Sequence, residues 1–215
     1  MIDVMRLEED LKSLYPDAGP ELHFQSDYEL LVAVILSAQC TDVRVNIITG
    51  QLFPQANTPE KMLSLGEENI REIIRSCGMY RQKAKALYHG AQMLLQEFDG
   101  VIPGTREELM RLPGVGRKTA NVVLSNAFGV PAIAVDTHVS RLAFRLGLSR
   151  QKDPLKIEKD LQKRLPKSSW SLMHHLLILH GRRVCTARSP KCSSCLLNSY
   201  CPRKGLPHVP DKKSV

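Results

Sequence analysis

The stretch LMRLPGVGRKTAN, residues 109–121, decides how this chain reads. It sets the turn Pro113-Gly114-Val115-Gly116 between a short apolar helical run and a second helix that starts after Gly116. Glycine accepts the backbone angles of a tight turn and leaves its amides uncovered. Uncovered amides leading into a helix N-terminus make an anion site, and two short helices joined this way match the helix-hairpin-helix grip on a DNA backbone. Gly114, Val115, Gly116 and Arg117 are therefore candidate backbone contacts, and Arg111 and Lys118 add positive charge beside them. Lys118 falls in the first turn of the second helix, where the helix dipole and the adjacent Arg117 both disfavour another positive charge. On this segment alone Lys118 has two readings, a nucleophile that attacks a sugar carbon or a solvated lysine on a phosphate.

Outward from the hairpin the pattern is helical. Thr105 followed by Glu108 fits a capping box for a short helix ending near Leu112. Ala84, Leu87, Ala91, Leu94, Leu95 and Phe98 recur at helical spacing. Asp27 is placed to cap a helix through Leu30, Leu31, Val34 and Ile35. Pro154 opens another through Ile157 and Leu161, and Ser168 or Ser169 can cap one running from Trp170 to Leu179. The apolar runs Leu30–Leu36 and Pro131–Val135 could be buried strands by pattern alone. No alternating partner strands or hairpin turns accompany them, so the expected fold is all-α.

Two further constellations carry chemistry. Ile133 to Val139, IAVDTHV, is an apolar approach that ends in Asp136, Thr137 and His138. Asp136 stands where a helix begins and is first an N-cap; capping leaves its second oxygen available for other work. His138 reads either as a phosphate contact or as a packing residue. His174, His175 and His180 read as packing or hydrogen-bonding residues. The other constellation is Cys185, Cys192, Cys195 and Cys201, spaced C-x6-C-x2-C-x5-C, a complete set of four thiolates for one metal centre. The spacing favours metal over disulfides but leaves structural zinc and iron-sulfur both open. Arg188 and Lys191 make the loop between the first two cysteines basic. Cys40 and Cys77 stand apart in sequence and read as small core residues.

The chain has 215 residues and a formal net charge of +8, which favours polyanionic partners. A hydrophobic content of 43 % argues against disorder and suits one or two domains. Its longest apolar run, Leu30–Leu36, is far short of the roughly 18 residues a membrane span needs. The start MIDVMRLEEDL lacks the basic, apolar and small-residue regions of a secretory signal. A cytosolic protein without a membrane segment is the expectation. From Gly205 the sequence GLPHVPDKKSV reads as a loose tail.

Taken together, LPGVGRKTANVVL, AVDTHV, LILHGRRVC, the four-cysteine pattern and the early LSAQCTD at Leu36–Asp42 resemble the endonuclease III family of DNA glycosylases. The resemblance covers nearly the whole chain. It implies a two-lobed all-α fold, with a six-helix domain over residues 22–131 carrying the hairpin, and residues 1–21 and 132–215 forming a second domain. It also implies a 4Fe-4S cluster held by Cys185, Cys192, Cys195 and Cys201, in the loop 185–201, rather than zinc. By the same resemblance Lys118 falls on the nucleophilic lysine and Asp136 on the essential aspartate. Gln39 falls on the residue that fills the space left by a flipped base, and Met79, by a looser match, on an apolar wedge. Adenine-removing relatives lack the lysine, so its presence points to the branch that removes oxidised pyrimidines and then cuts the strand by β-elimination. The implied partner is double-stranded DNA containing damaged pyrimidines or abasic sites, met by a monomer at the nucleoid of a bacterial-type cell. Two rivals remain at this point: a glycosylase without lyase activity, and a non-catalytic iron-sulfur DNA-binding protein.

Overall fold

A computed structural model describes residues 2–206, and the tail expected from Gly205 falls outside them from Pro207 onward. Among the described residues every regular element is a helix, so the all-α expectation holds. The chain divides into two compact units. One joins Met1–Gly19 to Pro131–Val215, and the other is Pro20–Val130.

The first unit opens with α1 (Val4–Leu14). The second contains α2 (Asp27–Ser37), α3 (Asp42–Leu52), α4 (Pro59–Leu65), α5 (Glu67–Ile73), α6 (Tyr80–Glu97), the single turn α7 (Arg106–Leu109) and α8 (Arg117–Ala127). The chain then returns to the first unit with α9 (Thr137–Arg145), α10 (Pro154–Arg164) and α11 (Trp170–Arg183), followed by short 3-10 turns at Cys192–Ser194 and Leu196–Ser199.

In the Pro20–Val130 unit, α2 is the axis. Every residue from Tyr28 to Leu36 is buried, as expected of a helix that is apolar on all sides. Its run Leu30–Leu36 is thus helix, not strand. Its cap is Ser26, whose side chain accepts from the Glu29 amide, and Asp27 is instead the first helical residue. The correction is of one position: serine and aspartate both cap well, and an acidic side chain also suits the first turn. Ala84, Leu87, Ala91 and Leu94 line the buried stripe of α6, and Ala120, Val123 and Leu124 that of α8.

In the other unit, Leu7 and Leu11 of α1 share a core with Val139 and Leu142 of α9, Ile157 and Leu161 of α10, and Met173, Leu176 and Leu177 of α11. Asp153 caps α10 ahead of Pro154. Ser169 occupies the cap position of α11 but its side chain makes no capping bond, because a 3-10 turn at Lys167–Ser169 leads directly into the helix.

The hairpin turn is fixed by packing. Gly114 has φ 79°, and a Cβ there would lie 2.9 Å from the Ala86 Cβ and 3.5 Å from the Ile35 Cγ2. Gly116, two residues on, has φ −91° and open space around it. Gly114→Ala is expected to lower the unfolding free energy by about 2 kcal/mol, from left-handed strain plus overpacking. Gly116→Ala should cost well under half as much, as urea unfolding of the two variants would show.

Candidate functional site

The hairpin presents its lysine at a helix start. Thr105 caps α7, and its hydroxyl donates to Glu108 Oε2 at 2.6 Å while accepting from the Glu108 amide. After the turn, α8 begins at Gly116 with no side-chain capping bond. Lys118 is the second residue of α8 and is exposed. Arg111 is not held ready for an anion: it pairs with Glu97 of α6 and lies over the Phe98 ring.

In the same unit two loops converge. Gln39 follows the end of α2 and Met79 precedes α6. Both are exposed, and both take left-handed backbone angles, φ 54° and 58°, which a side chain with a Cβ rarely adopts. The loops touch: a Cβ on Gly78 would lie 3.0 Å from the Gln39 carbonyl oxygen. Cys40 and Cys77, read from sequence as separate core residues, are neighbours here. Burial first, and then the Cys77 thiol beside it, push the Cys40 thiol above its ordinary range.

In the other unit Asp136 caps α9, its Oδ1 accepting from the Val139 amide at 2.8 Å. The second oxygen is engaged as well, standing 3.2 Å from His138 Nδ1. Sequence reasoning had left that oxygen available and read His138 as a phosphate contact or a packing residue. The i, i+2 spacing across a helix cap explains the contact, because the first helical turn swings residue 138 back over the capping carboxylate.

The four clustered cysteines are all unbridged and line one small cavity, walled by Leu142, Val184, Leu197 and His180. Burial pushes the Cys195 and Cys201 thiols up, and the neighbouring thiols add to it. Among the described residues no group of three or more His, Cys, Asp or Glu side chains closes on a single ion. Four unbridged thiols on one cavity are the donor set of an iron-sulfur cluster.

Sequence reasoning missed what holds this loop. Arg145 of α9 is buried; its guanidinium donates to Thr186 O at 2.7 Å and to Ala187 O at 2.9 Å, and approaches Cys185 Sγ at 3.3 Å. Arg141, one turn earlier, donates to Cys185 O at 3.1 Å and Gly181 O at 2.9 Å. Gly181 leaves room for this contact, since a Cβ there would press on His138 and Arg141 side-chain atoms at 3.1 and 3.2 Å. His180 takes the Tyr15 hydroxyl at Nδ1, 3.1 Å away, and faces Cys195 Sγ across 3.5 Å at Nε2. Burial lowers its pKa to about 4, so it serves as a neutral ring. The signal available in sequence was the i, i+4 pair Arg141 and Arg145, spaced to lie on one face of α9. The exposed Arg188 and Lys191 lie in the loop itself.

The structure therefore brings together the loops that carry Gln39 and Met79, Asp136 with His138, and the four cysteines with one another. Lys118 belongs to the Pro20–Val130 unit and Asp136 to the other.

With this geometry in place, comparison with known proteins is decisive. Residues 32–167 match the HhH-GPD superfamily of base excision DNA repair proteins, and residues 185–201 match the iron-sulfur binding domain of endonuclease III. Endonuclease III of Bacillus subtilis (strain 168) is 47 % identical over 219 residues, covering 100 % of this chain and 99 % of that protein. A solved non-covalent endonuclease III–DNA complex superposes with a TM-score of 0.90 at 47 % identity, covering 94 % of this chain and 97 % of that one. A trapped endonuclease III–DNA covalent intermediate superposes with a TM-score of 0.89 at the same identity and coverage.

The fold and site define a base-excision DNA repair enzyme of the helix-hairpin-helix class. The chain belongs to the endonuclease III family. It is a DNA glycosylase and abasic-site lyase, and its cofactor is a 4Fe-4S cluster.

Arg145→Met removes the donors to Thr186 and Ala187 and should loosen the cysteine loop. Cluster retention, followed by iron content and visible absorbance under a chelator, should fall roughly tenfold, the lower end of what partners of metal ligands contribute. Arg188→Ala, on the exposed side of the loop, should leave retention unchanged.

Proposed function

We propose that this chain, acting as a monomer, excises oxidised pyrimidines from duplex DNA and cuts the strand through a Schiff base on Lys118. The observation that carries the reading is the placement of Lys118, exposed in the first turn of a helix that starts without a side-chain cap. An amine there can reach a sugar carbon while the amides beside it face phosphate. The division of labour follows the chain: residues 22–131 form the hairpin-bearing domain, and residues 1–21 with 132–215 form the cluster domain.

The lesion must leave the stack before any side chain can reach its sugar, at a cost of a few kcal/mol that poor stacking of a damaged base reduces. Met79 wedges the duplex and Gln39 fills the vacated space. The hairpin backbone from Gly114 through Val115 and Gly116 to Arg117 holds phosphates, with His138, Arg188 and Lys191 as further contacts, so the grip does not depend on sequence. Lys118 Nζ attacks C1′ and the base departs with its bonding electrons. The Asp136 carboxylate, held in place by the Val139 amide and by His138, stabilises the positive charge that develops on the sugar and relays protons. Opening of the C1′–O4′ ring bond, with an Nζ proton passed to O4′, turns the adduct into an iminium that acidifies the C2′ proton; loss of that proton expels the 3′ phosphate, and water releases Lys118. Cys185, Cys192, Cys195 and Cys201 hold the cluster, which when bound supplies the iron–thiolate bonds that cross-link the basic loop.

DNA contact at the nucleoid suits the solved DNA complexes of endonuclease III and the bacterial source of the relatives. Among the described residues no helix is long and apolar enough to cross a membrane.

Borohydride reduction during reaction with duplexes carrying oxidised pyrimidines should link the protein covalently to DNA, and Lys118→Ala should reduce that adduct at least about 1,000-fold, the scale of loss when a nucleophile is removed. An undiminished adduct would place the Schiff base elsewhere. A parallel panel of oxidised purines should release no base above background.

A further inference from the structure

Lys83 is a buried lysine that the chemistry above does not use. It lies in the first turns of α6, is 5 % exposed, and its Nζ donates to Leu36 O at 2.8 Å, Ala38 O at 2.6 Å and Cys77 Sγ at 3.0 Å. Those three contacts occupy the three hydrogens an ammonium carries. The Cys77 thiol in turn donates to Leu36 O at 3.3 Å. Leu36 lies in the last turn of α2 and Ala38 is its cap residue, where carbonyls have lost their helical partners and the dipole is negative. The lysine is therefore both a side-chain cap and a counter-charge, placed where leaving it out would strand buried acceptors.

What it caps matters more than the cap. Gln39 follows Ala38 directly, and Met79 lies two residues beyond Cys77. One ammonium thus grips the chain just before each of the two exposed, left-handed residues, and the two loops meet at Gly78. Left-handed backbone at residues with side chains persists only where surrounding contacts over-determine it. The acceptors on Lys83 are such contacts, since they fix the direction in which the chain leaves α2 and the direction in which it enters α6.

We propose that Lys83 is a positioning residue for lesion extrusion, clamping the Leu36–Cys40 and Cys77–Tyr80 loops so that Gln39 and Met79 point together into the duplex. It touches neither DNA nor the reacting atoms. The inference rests on the reading that Gln39 and Met79 enter the duplex, and the test separates the two.

Cluster-loaded protein carrying Lys83→Met is compared with wild type on a duplex containing an oxidised thymine, with 2-aminopurine opposite the lesion to report unstacking. The single-turnover excision rate is expected to fall roughly 100-fold, the cost a misplacement of about 1 Å can carry. The fluorescence rise should be lost with it. The Kd for undamaged duplex should stay within about threefold, because the hairpin and its phosphate contacts are intact; simple destabilisation would not produce that split. The same substitution is then made in a Gln39→Ala, Met79→Ala background, where it should slow excision no further. Lys83→Gln, which keeps two donors and drops the charge, carries the same cycle should methionine prevent folding, and is expected to lose an intermediate factor. Wild-type excision and fluorescence in the Lys83 variants, or a loss that multiplies undiminished in the doubly substituted background, would overturn the positioning role alone. Wild-type excision by Gln39→Ala, Met79→Ala would instead overturn the reading of those two residues as entering the duplex, and the role of Lys83 with it.

Discussion

The backbone of Gly114 lies so close to α2 and α6 that one added carbon would overlap the Ala86 side chain and rest in contact with Ile35. Ile35 belongs to α2, whose end delivers Gln39. Ala86 belongs to α6, whose start delivers Met79. Gly114 itself turns the chain into α8, whose first turn delivers Lys118. A single close approach therefore ties three exposed side chains to one core, and protein interiors transmit such constraints because they are packed as densely as organic crystals. Functional precision in this unit is a property of helix ends held by a rigid middle. The Lys83 cap acts in the same place, one residue from Ile35 in α2 and one turn from Ala86 in α6.

The other unit solves a different problem. Its loop from Cys185 to Cys201 contributes little apolar surface, so burial alone cannot organise it. Two guanidiniums from α9 take up backbone carbonyls of the loop, and four thiols are left facing one cavity. The same helix begins at Asp136. The carboxylate at one end of α9 and the arginine supports of the cysteine loop along it are thus set by one rigid element, which couples loop integrity to the orientation of Asp136.

Much of this was legible in the sequence, and the reasons differ by residue. Helical spacing around Leu87 and Leu94, the caps at Thr105 and Asp136 and the helix opening at Pro154 are local properties, and local properties survive into the fold. The Pro-Gly-Val-Gly turn was readable for the same cause. The Asp27 reading erred by one residue because Ser26 and Asp27 are both competent caps, and only the backbone angles decide between them. The His138 contact to Asp136, the Arg145 grip on Ala187 and the Lys83 cap on α2 were not legible. The first depends on where a helix turn swings a side chain, and the other two join residues more than 40 positions apart. The proximity of Cys40 to Cys77 escaped for the same reason: nothing in a sequence announces that two loops will touch.

The central claim is that Lys118 performs base removal and strand cleavage as one covalent sequence. It is tested most directly by following both products in a single-turnover reaction on a duplex with one oxidised pyrimidine, comparing wild type with Lys118→Gln. Free base and cleaved strand are expected to disappear together in the variant while DNA binding persists. Base release that continues at the wild-type rate with only cleavage lost would contradict it, and would make water rather than Lys118 the group that displaces the base.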